Sequence, residues 1–252
     1  MSKDKLMETS GISETIANNM IDKKVRNNVD NALKYMKQNN INVISVFDDD
    51  YPQMLKEIYA PPICLYIKGN LQLLKMQNIS LIGCRKCSQY GKKTAYYFSY
   101  NLSKAGFNIV SGLARGIDSY SHIGCLAAKG KTIAVMGSGL DNIYPKENEQ
   151  LVNEIIKQNG AIITQYPLGT KPEKNNFPAR NRIISGLSKA VLVIEARAKS
   201  GTLITVDFAL EQGKDVFAVP GNINSANSVG TNELIKQGAI PVCNYKDILD
   251  NI

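Results

Sequence analysis

The chain has 252 residues, 44% of them hydrophobic and 21% charged, with a formal net charge of +8 and a pI near 9.1. This is ordinary globular composition, long enough for one large domain or two smaller ones, and no apolar run approaches the roughly 20 residues a membrane-spanning helix needs. The polar start, Met1-Ser2-Lys3-Asp4-Lys5, carries no secretory apolar stretch, so a cytoplasmic protein with no membrane partner is expected.

Residues 1–40 are polar, with modest apolar faces at Ile16, Met20, Val25, Leu33 and Met36. They predict a small helical N-terminal region. Residues 41–252 form the main domain, with a core that starts at about residue 77. Within it, 41–46 reads as a short strand. Asp48 to Pro52 turns into a short helix at 54–58, Pro61-Pro62 breaks it, and 63–67 returns as a strand ending at Gly69.

From Ile79 the chain alternates. Strands are predicted at 79–82, 107–110, 132–136, 161–166, 190–194 and 215–219. Helices are predicted at 92–104, 118–129, 147–158, 181–188 and 202–212, four of them stopped by Gly106, Gly130, Gly160 and Gly213. A last helix at 232–236 leads into 239–242, and the longest loops are 167–176 and 222–229. Short strands separated by helices of this length mean βαβ units, hence an α/β fold on a mostly parallel sheet.

Each of the first five strands of this series ends in a basic loop. The loops carry Arg85 and Lys86, then Arg115, then Lys146, then Arg180 and Arg182, then Arg197 and Lys199. In open α/β sheets ligands bind beyond the carboxyl ends of the strands, so an anionic ligand is expected. The charge is also uneven: residues 1–75 hold 10 basic and 9 acidic side chains, residues 76–252 hold 20 and 13. The excess lies with the basic loops, which points to nucleic acid.

Three nucleotide or catalytic patterns fail. Gly137-Ser138-Gly139 supplies two glycines of a dinucleotide fingerprint, but Asn142 stands at the third. Gly124 and Gly130-Lys131-Thr132 have one residue too many between them for a P-loop, and no G-x-S-x-G elbow is present. His122, the single histidine, sits inside a helix and reads as a core residue. Asp118 reads as a helix N-cap, and Glu195 as a partner for an arginine or a cap for backbone amides. Five cysteines, an odd number without a secretory signal, argue against a disulfide framework. Cys84 and Cys87 have C-x-x-C spacing beside Arg85 and Lys86, which would lower a thiol pKa, but loop filling is the simpler reading. No metal or cofactor is expected. Binding remains. Arg85 and Lys86 sit at a strand-to-helix turn between Gly83 and Ser88, where helix N–H groups and a guanidinium can share a phosphate. Ser111, Gly112 and Arg115 repeat the arrangement, and Tyr144 beside Lys146 offers a stacking face next to a cation.

Taken together, the motifs resemble the DNA-processing protein A family (DprA, also called Smf). The matching strings are Gly83-Cys84-Arg85-Lys86-Cys87-Ser88-Gln89-Tyr90-Gly91 and Ser111-Gly112-Leu113-Ala114-Arg115-Gly116-Ile117-Asp118 with His122. Gly139-Leu140-Asp141 with Tyr144-Pro145, Phe177-Pro178-Ala179-Arg180-Asn181-Arg182, Glu195-Ala196 with Lys199-Ser200-Gly201-Thr202, and Val219-Pro220-Gly221 complete the match. The resemblance implies an extended Rossmann-like, doubly wound domain that binds single-stranded DNA without nucleotide chemistry. It implies a recombination mediator that protects incoming strands in natural transformation, loads the RecA recombinase and acts as a homodimer. The family's DNA-contacting positions fall on Arg85 and Lys146. The wider candidate set adds Gly83, Lys86, Ser88, Ser111, Gly112, Arg115, Gly137, Tyr144, Arg180, Asn181, Arg182, Lys199, Ser200 and Gly201. The family's dimer region falls on 234–242, with Leu234, Ile240 and Val242 as apolar candidates. Cys84 stands where the family has Ser or Thr, and the winged-helix domain of many members is expected to be missing after Ile252. The competing reading is an enzyme like the nucleoside-monophosphate phosphoribohydrolases, whose Pro-Gly-Gly-x-Gly-Thr loop and catalytic Glu are not reproduced at Lys199-Ser200-Gly201-Thr202.

Overall fold

The computed structural model describes residues 3–9 and 11–252, apart from the side chain of Arg26. Met1, Ser2 and Ser10, part of the helical expectation for 1–40, lie outside it. The chain divides into two compact units, Met1–Asn42 and Val43–Ile252.

The first unit carries helices α1 (Lys3–Met7), α2 (Glu14–Ile21) and α3 (Lys23–Gln38). Side-chain caps start the last two: the Ser13 hydroxyl accepts from the Ile16 N–H, and Asp22 accepts from Lys24 and Val25. Leu6, Ala17, Met36 and Ile41 are its buried apolar residues among those described.

The second unit is built on one sheet. Its strands are β1 (Ile41–Ser45), which begins at the boundary, β2 (Cys64–Gly69), β3 (Asn78–Gly83), β4 (Asn108–Ser111), β5 (Thr132–Val135), β6 (Ala161–Thr164), β7 (Ala190–Glu195), β8 (Asp215–Ala218) and β9 (Ile240–Pro241). Its helices are α4 (Gln53–Lys56), α5 (Gln89–Lys104), α6 (Ile117–Ala127), α7 (Glu149–Lys157), α8 (Asn176–Gly186), α9 (Gly201–Glu211), α10 (Val229–Lys236) and α11 (Lys246–Leu249). The sheet order is β1-β2-β6-β5-β4-β3-β7-β8-β9. Strands β3 to β9 pair in parallel, whereas β2 runs antiparallel to β6. This is the expected α/β, mostly parallel, doubly wound architecture.

Central strands buried on both faces read as continuous apolar runs, and β4 to β7 have no exposed residue. Alternate residues serve the two faces. Leu192 and Ile194 pack with Phe98 of α5 and Ile117 of α6, while Val191 and Val193 pack with Ile183 of α8 and Val206 of α9. The parallel part of the sheet starts at β3, winds outward through β4, β5 and β6, then crosses back to β7. The direction therefore reverses between β3 and β7, and a doubly wound sheet opens its ligand crevice at that reversal, beyond the carboxyl ends of the strands.

Several boundaries differ from expectation. Helix α5 begins three residues earlier than predicted, because Ser88 caps it through the Gly91 N–H. Helix α8 begins five residues earlier, and Pro178 lies in its first turn, where a missing N–H costs no helical bond. Arg180 therefore lies on a helix too, together with Arg182, which the predicted helix already held. The first turn of the helix predicted at 147–158 is a tight 3-10 turn, Lys146–Asn148. Helix α11 carried no periodic signal. No helix among the described residues is long and apolar enough to cross a membrane.

Candidate nucleic-acid interface

A cleft of about 710 Å³ opens at the reversal point. The loop after β3 lines one side with Gly83, Arg85 and Lys86, and the loop after β7 lines the other with Arg197, Lys199, Ser200 and Gly201. Lys174, Phe177, Arg180 and Asn181 close it from the β6–α8 segment, and Tyr144 reaches it from beyond β5. Six lining residues are cationic (Arg85, Lys86, Lys174, Arg180, Arg197 and Lys199) against one carboxylate, Asp118. That imbalance, at a site where low-dielectric walls focus the field, selects an anion.

The carboxylate is not presented to a ligand. Asp118 is buried. It is not the N-cap of α6, a position held by Gly116; its Oδ2 accepts from the loop amides of Gly112 (3.1 Å) and Ala114 (3.2 Å). Gly112 joins it to Arg180, whose Nη1 donates to the Gly112 carbonyl (2.6 Å) and to the Val135 carbonyl. Any Cβ at Gly112 would collide with both side chains, 2.7 Å from Asp118 Oδ2 and 2.9 Å from the guanidinium. Burial pushes the Asp118 carboxyl up, and Arg180 opposes the shift. Burial likewise lowers Arg180, to about 10, and Asp118 opposes that. Arg180 is therefore still protonated at neutral pH and acts as a fixed positive wall pinned to the ends of β4 and β5.

Arg85 is exposed, and its guanidinium lies 5.2 Å from the centre of the Phe177 ring. Phe177 in turn meets the Tyr144 ring at 5.6 Å, tilted by 44°. A cation over an aromatic face gains attraction and loses side-chain freedom, so Arg85 is held toward the cleft. Phe177 was absent from the candidate residues. It lies before the predicted helix start at 181; α8 in fact begins at Asn176, and Phe177 stands in its first turn with the ring against Arg85. Lys174 was also absent from the candidates; it lies in the loop expected at 167–176, which the structure folds against the cleft.

Ser88 behaves differently from expectation. Its backbone N–H donates to Glu195 Oε2 (2.9 Å), its hydroxyl donates to Glu195 Oε1, and Asn227 Nδ2 adds a bond to Oε2 (3.3 Å). The buried Glu195 thus fills the N-terminus of α5 with an internal anion, the amide-capping role expected of it. A phosphate shared between that terminus and Arg85 has no room. Asn227 also donates to the Lys86 carbonyl (3.1 Å) and accepts from Arg197 Nε (2.9 Å). One network therefore braces both basic lips of the cleft. The helix start that does face the cleft belongs to α9: Ser200 caps it through the Thr202 N–H, and a Cβ built on Gly201 would meet nothing within 4 Å.

The other candidates fall outside the cleft or behind it. Arg115 is bidentate to Glu147 (Nη2 to Oε2 2.7 Å), and the guanidinium holds Glu147 below the usual carboxylate range. Lys146 is exposed beyond the cis Tyr144–Pro145 bond and does not line the cleft. Ser111 is buried, donating to the Leu81 carbonyl (2.6 Å). Arg182 faces away, donating to the Ala60 carbonyl (2.9 Å) and to Gln165 (2.6 Å). Gly137 backs the Phe177 ring, and Gly139 sits in a tight turn whose N–H bonds the Thr170 carbonyl. Burial pushes the Cys84 and Cys87 thiols up, which reverses the lowering expected from Arg85 and Lys86. Leu234 and Val242, read as dimer contacts, are buried within the chain's own cores, because α10 and the end of β9 fold back on the sheet; Ile240 remains half-buried.

The fold and the cleft together define a class: a Rossmann-like protein whose switch point presents a mixed cationic and aromatic wall. Comparison with known proteins narrows the class. A family model described as DNA recombination-mediator protein A matches residues 42–252. The DNA processing protein DprA of Bacillus subtilis is 42% identical over 222 residues, covering 88% of this chain and 74% of that protein. Protein Smf of Escherichia coli is 41% identical over 227 residues, and this chain spans 61% of its length. The X-ray structure of DprA from Streptococcus pneumoniae superposes with a TM-score of 0.84 at 38% identity, covering 99% of this chain and 86% of that one. A Helicobacter pylori DprA structure, described for its single-stranded DNA binding mode, superposes at 0.75 with 31% identity over 83% of this chain and 94% of that one. The chain belongs to the DNA recombination-mediator protein A family, a family of DNA-processing proteins.

Proposed function

We propose that this chain is a single-stranded DNA-binding recombination mediator whose switch-point cleft carries the strand. The observation that supports this most is the lining of the cleft, six cations against one buried carboxylate held by loop amides, with Phe177 and Tyr144 set among them. Consecutive phosphates need spaced cations, and unpaired bases need aromatic faces. Arg85, Lys86 and Lys174 contact phosphates, Arg197 and Lys199 continue the track, and Tyr144 and Phe177 receive bases. No bond is broken: the Glu195 carboxylate is engaged by Ser88 and Asn227 and serves as a brace.

The strand is then passed to a RecA-type recombinase, in the cytoplasm and in the setting of natural transformation, by a homodimer. Ile240, half-buried on the edge strand β9, is the apolar position that supports the pairing of two copies. Sedimentation of the free protein reads the dimer, and RecA filament growth on protected strands reads the loading. The DNA site is tested by fluorescence anisotropy with oligo-dT. Arg85→Ala should weaken binding at least several-fold and cut the salt slope by about 0.7, the share of one phosphate contact. Arg115→Ala should change it less, since Glu147 already neutralises that guanidinium. Unchanged affinity and slope in Arg85→Ala would remove the assignment.

A further inference from the structure

Helix α5 leaves the cleft at the Arg85-Lys86 loop and carries an unusual outer face. Tyr90 is 54% exposed and Tyr97 is 41% exposed, with Lys93 between them in sequence. Positions 90, 93 and 97 follow helical i, i+3, i+7 spacing, so the three project from one side. Beside that side lies a second depression of about 340 Å³, floored by Phe98, Val219, Pro220 and Val242. Tyr97 meets Tyr245 edge-on at 6.3 Å, which stiffens one ring of the wall. Tyr90 and Pro220 also border a third cleft of about 540 Å³, lined by Ser88, Asn222, Ser225 and Ser228. The two depressions share those residues and form one furrow along α5.

The chemistry of the furrow is legible. Among its lining residues the single carboxylate is Glu195, already bonded by Ser88 and Asn227. Tyrosine faces, one lysine and a row of serine and asparagine groups remain. Aromatic faces stack unpaired bases of any sequence, a lysine answers the phosphate between two of them, and hydroxyl and amide groups suit sugar and base edges. A membrane surface would want more cations and a protruding apolar face.

We infer that the α5 furrow is a second single-strand binding surface, which takes the nucleotides that leave the switch-point cleft past Arg85 and Lys86. It rests on the DNA-binding reading of that cleft and adds a path for the strand beyond it. It makes affinity depend on strand length: a short oligonucleotide fills the cleft alone, and a longer one also lies along Tyr90 and Tyr97.

Oligo-dT of about 6 and about 20 nucleotides, bracketing common single-strand site sizes, separates the two surfaces. For the Tyr90→Ala/Tyr97→Ala double variant, binding of the long oligonucleotide should fall roughly 5-fold or more, the loss of base stacking on at least one ring. Binding of the short one should stay within two-fold of wild type. The Tyr90→Phe/Tyr97→Phe variant keeps both ring faces and should restore long-strand affinity. Arg85→Ala should weaken both lengths; if it weakens neither, the cleft reading fails and with it the path that continues from the cleft, whereas intact Arg85 dependence with no effect of the tyrosines overturns the furrow alone. Long-strand affinity unchanged in the double alanine variant, with its melting temperature intact, overturns the furrow as a DNA surface and leaves it to a protein partner. An equal loss for both lengths also overturns it, since the tyrosines would then act through the cleft. Should the alanine variant melt early, Lys93→Ala gives the same length test at an exposed position.

Discussion

At the scale of single residues, burial decides which charged groups work on a ligand and which work on the fold. His122 illustrates the second kind. It is buried, and its Nδ1 lies 2.7 Å from Thr132 Oγ1. That hydroxyl gives its own hydrogen to the Ile109 carbonyl (2.7 Å), so Nδ1 must be the donor in the pair and the ring is the neutral Nδ1–H tautomer. Burial lowers its pKa from 6.5 to about 3. A lowered folded-state pKa means that the unfolded chain binds the extra proton first. The stability contributed by the neutral ring is therefore complete above about pH 6.5 and is lost as pH falls toward 3, with a slope approaching about 1.4 kcal/mol per unit. Urea denaturation between pH 8 and 5 should show the onset of that loss, and the single histidine's NMR signals should not titrate over the same range. A ring that titrates near 6.5 contradicts its burial. Arg85 and Arg115 make the complementary point. Both follow a strand, but one leans on an aromatic ring at the cleft and the other is tied to Glu147.

At the scale of elements, the site depends on how loops close on each other. Gly116 caps α6 with φ 78° and ψ −127°, and a Cβ there would strike the carbonyls of Cys84 and Arg85. Gly106 has φ 97° but open space around it. Gly116→Ala should therefore cost about 1–3 kcal/mol from backbone strain alone, and more than Gly106→Ala, because it also displaces the carbonyls that set the Arg85 loop. Thermal melts of the two variants, with oligo-dT affinity beside them, check this; equal losses in both would mean that the close approach carries no weight. Strand and helix order was legible from periodicity and glycine stops, since parallel strands buried on both faces are apolar throughout. The starts of α5 and α8 were not. Ser88, expected to contact the ligand, caps a helix, and the helix expected from 181 begins at Asn176 with Pro178 in its first turn. The earlier start puts Arg180 on α8, where it still lines the cleft beside Phe177, while Arg182 turns away. Antiparallel pairing of β2 on β6 left no trace in local pattern, because it is set by contacts about a hundred residues apart, as is the bond between Ser88 and Glu195.

At the scale of the whole molecule, five basic loops in sequence become one crevice with two basic lips, because the winding order brings the ends of β3 and β7 together and sends the end of β5 outward. The net charge of +8 thus has a local meaning. The excess stands where the sheet reverses, within reach of aromatic rings. Sequence could place the cations on strand ends; it could not say that Arg182 turns away or that Arg115 carries its own counterion. The central claim is that this crevice holds an unpaired, polyanionic strand. Its most direct test is equilibrium binding of single-stranded and duplex DNA of equal length at two salt concentrations. The account predicts tighter binding of the single strand, with affinity for it falling as salt rises by about 0.7 log unit per phosphate neutralised on a log salt scale. Equal affinity for the duplex, or binding indifferent to salt, would contradict it.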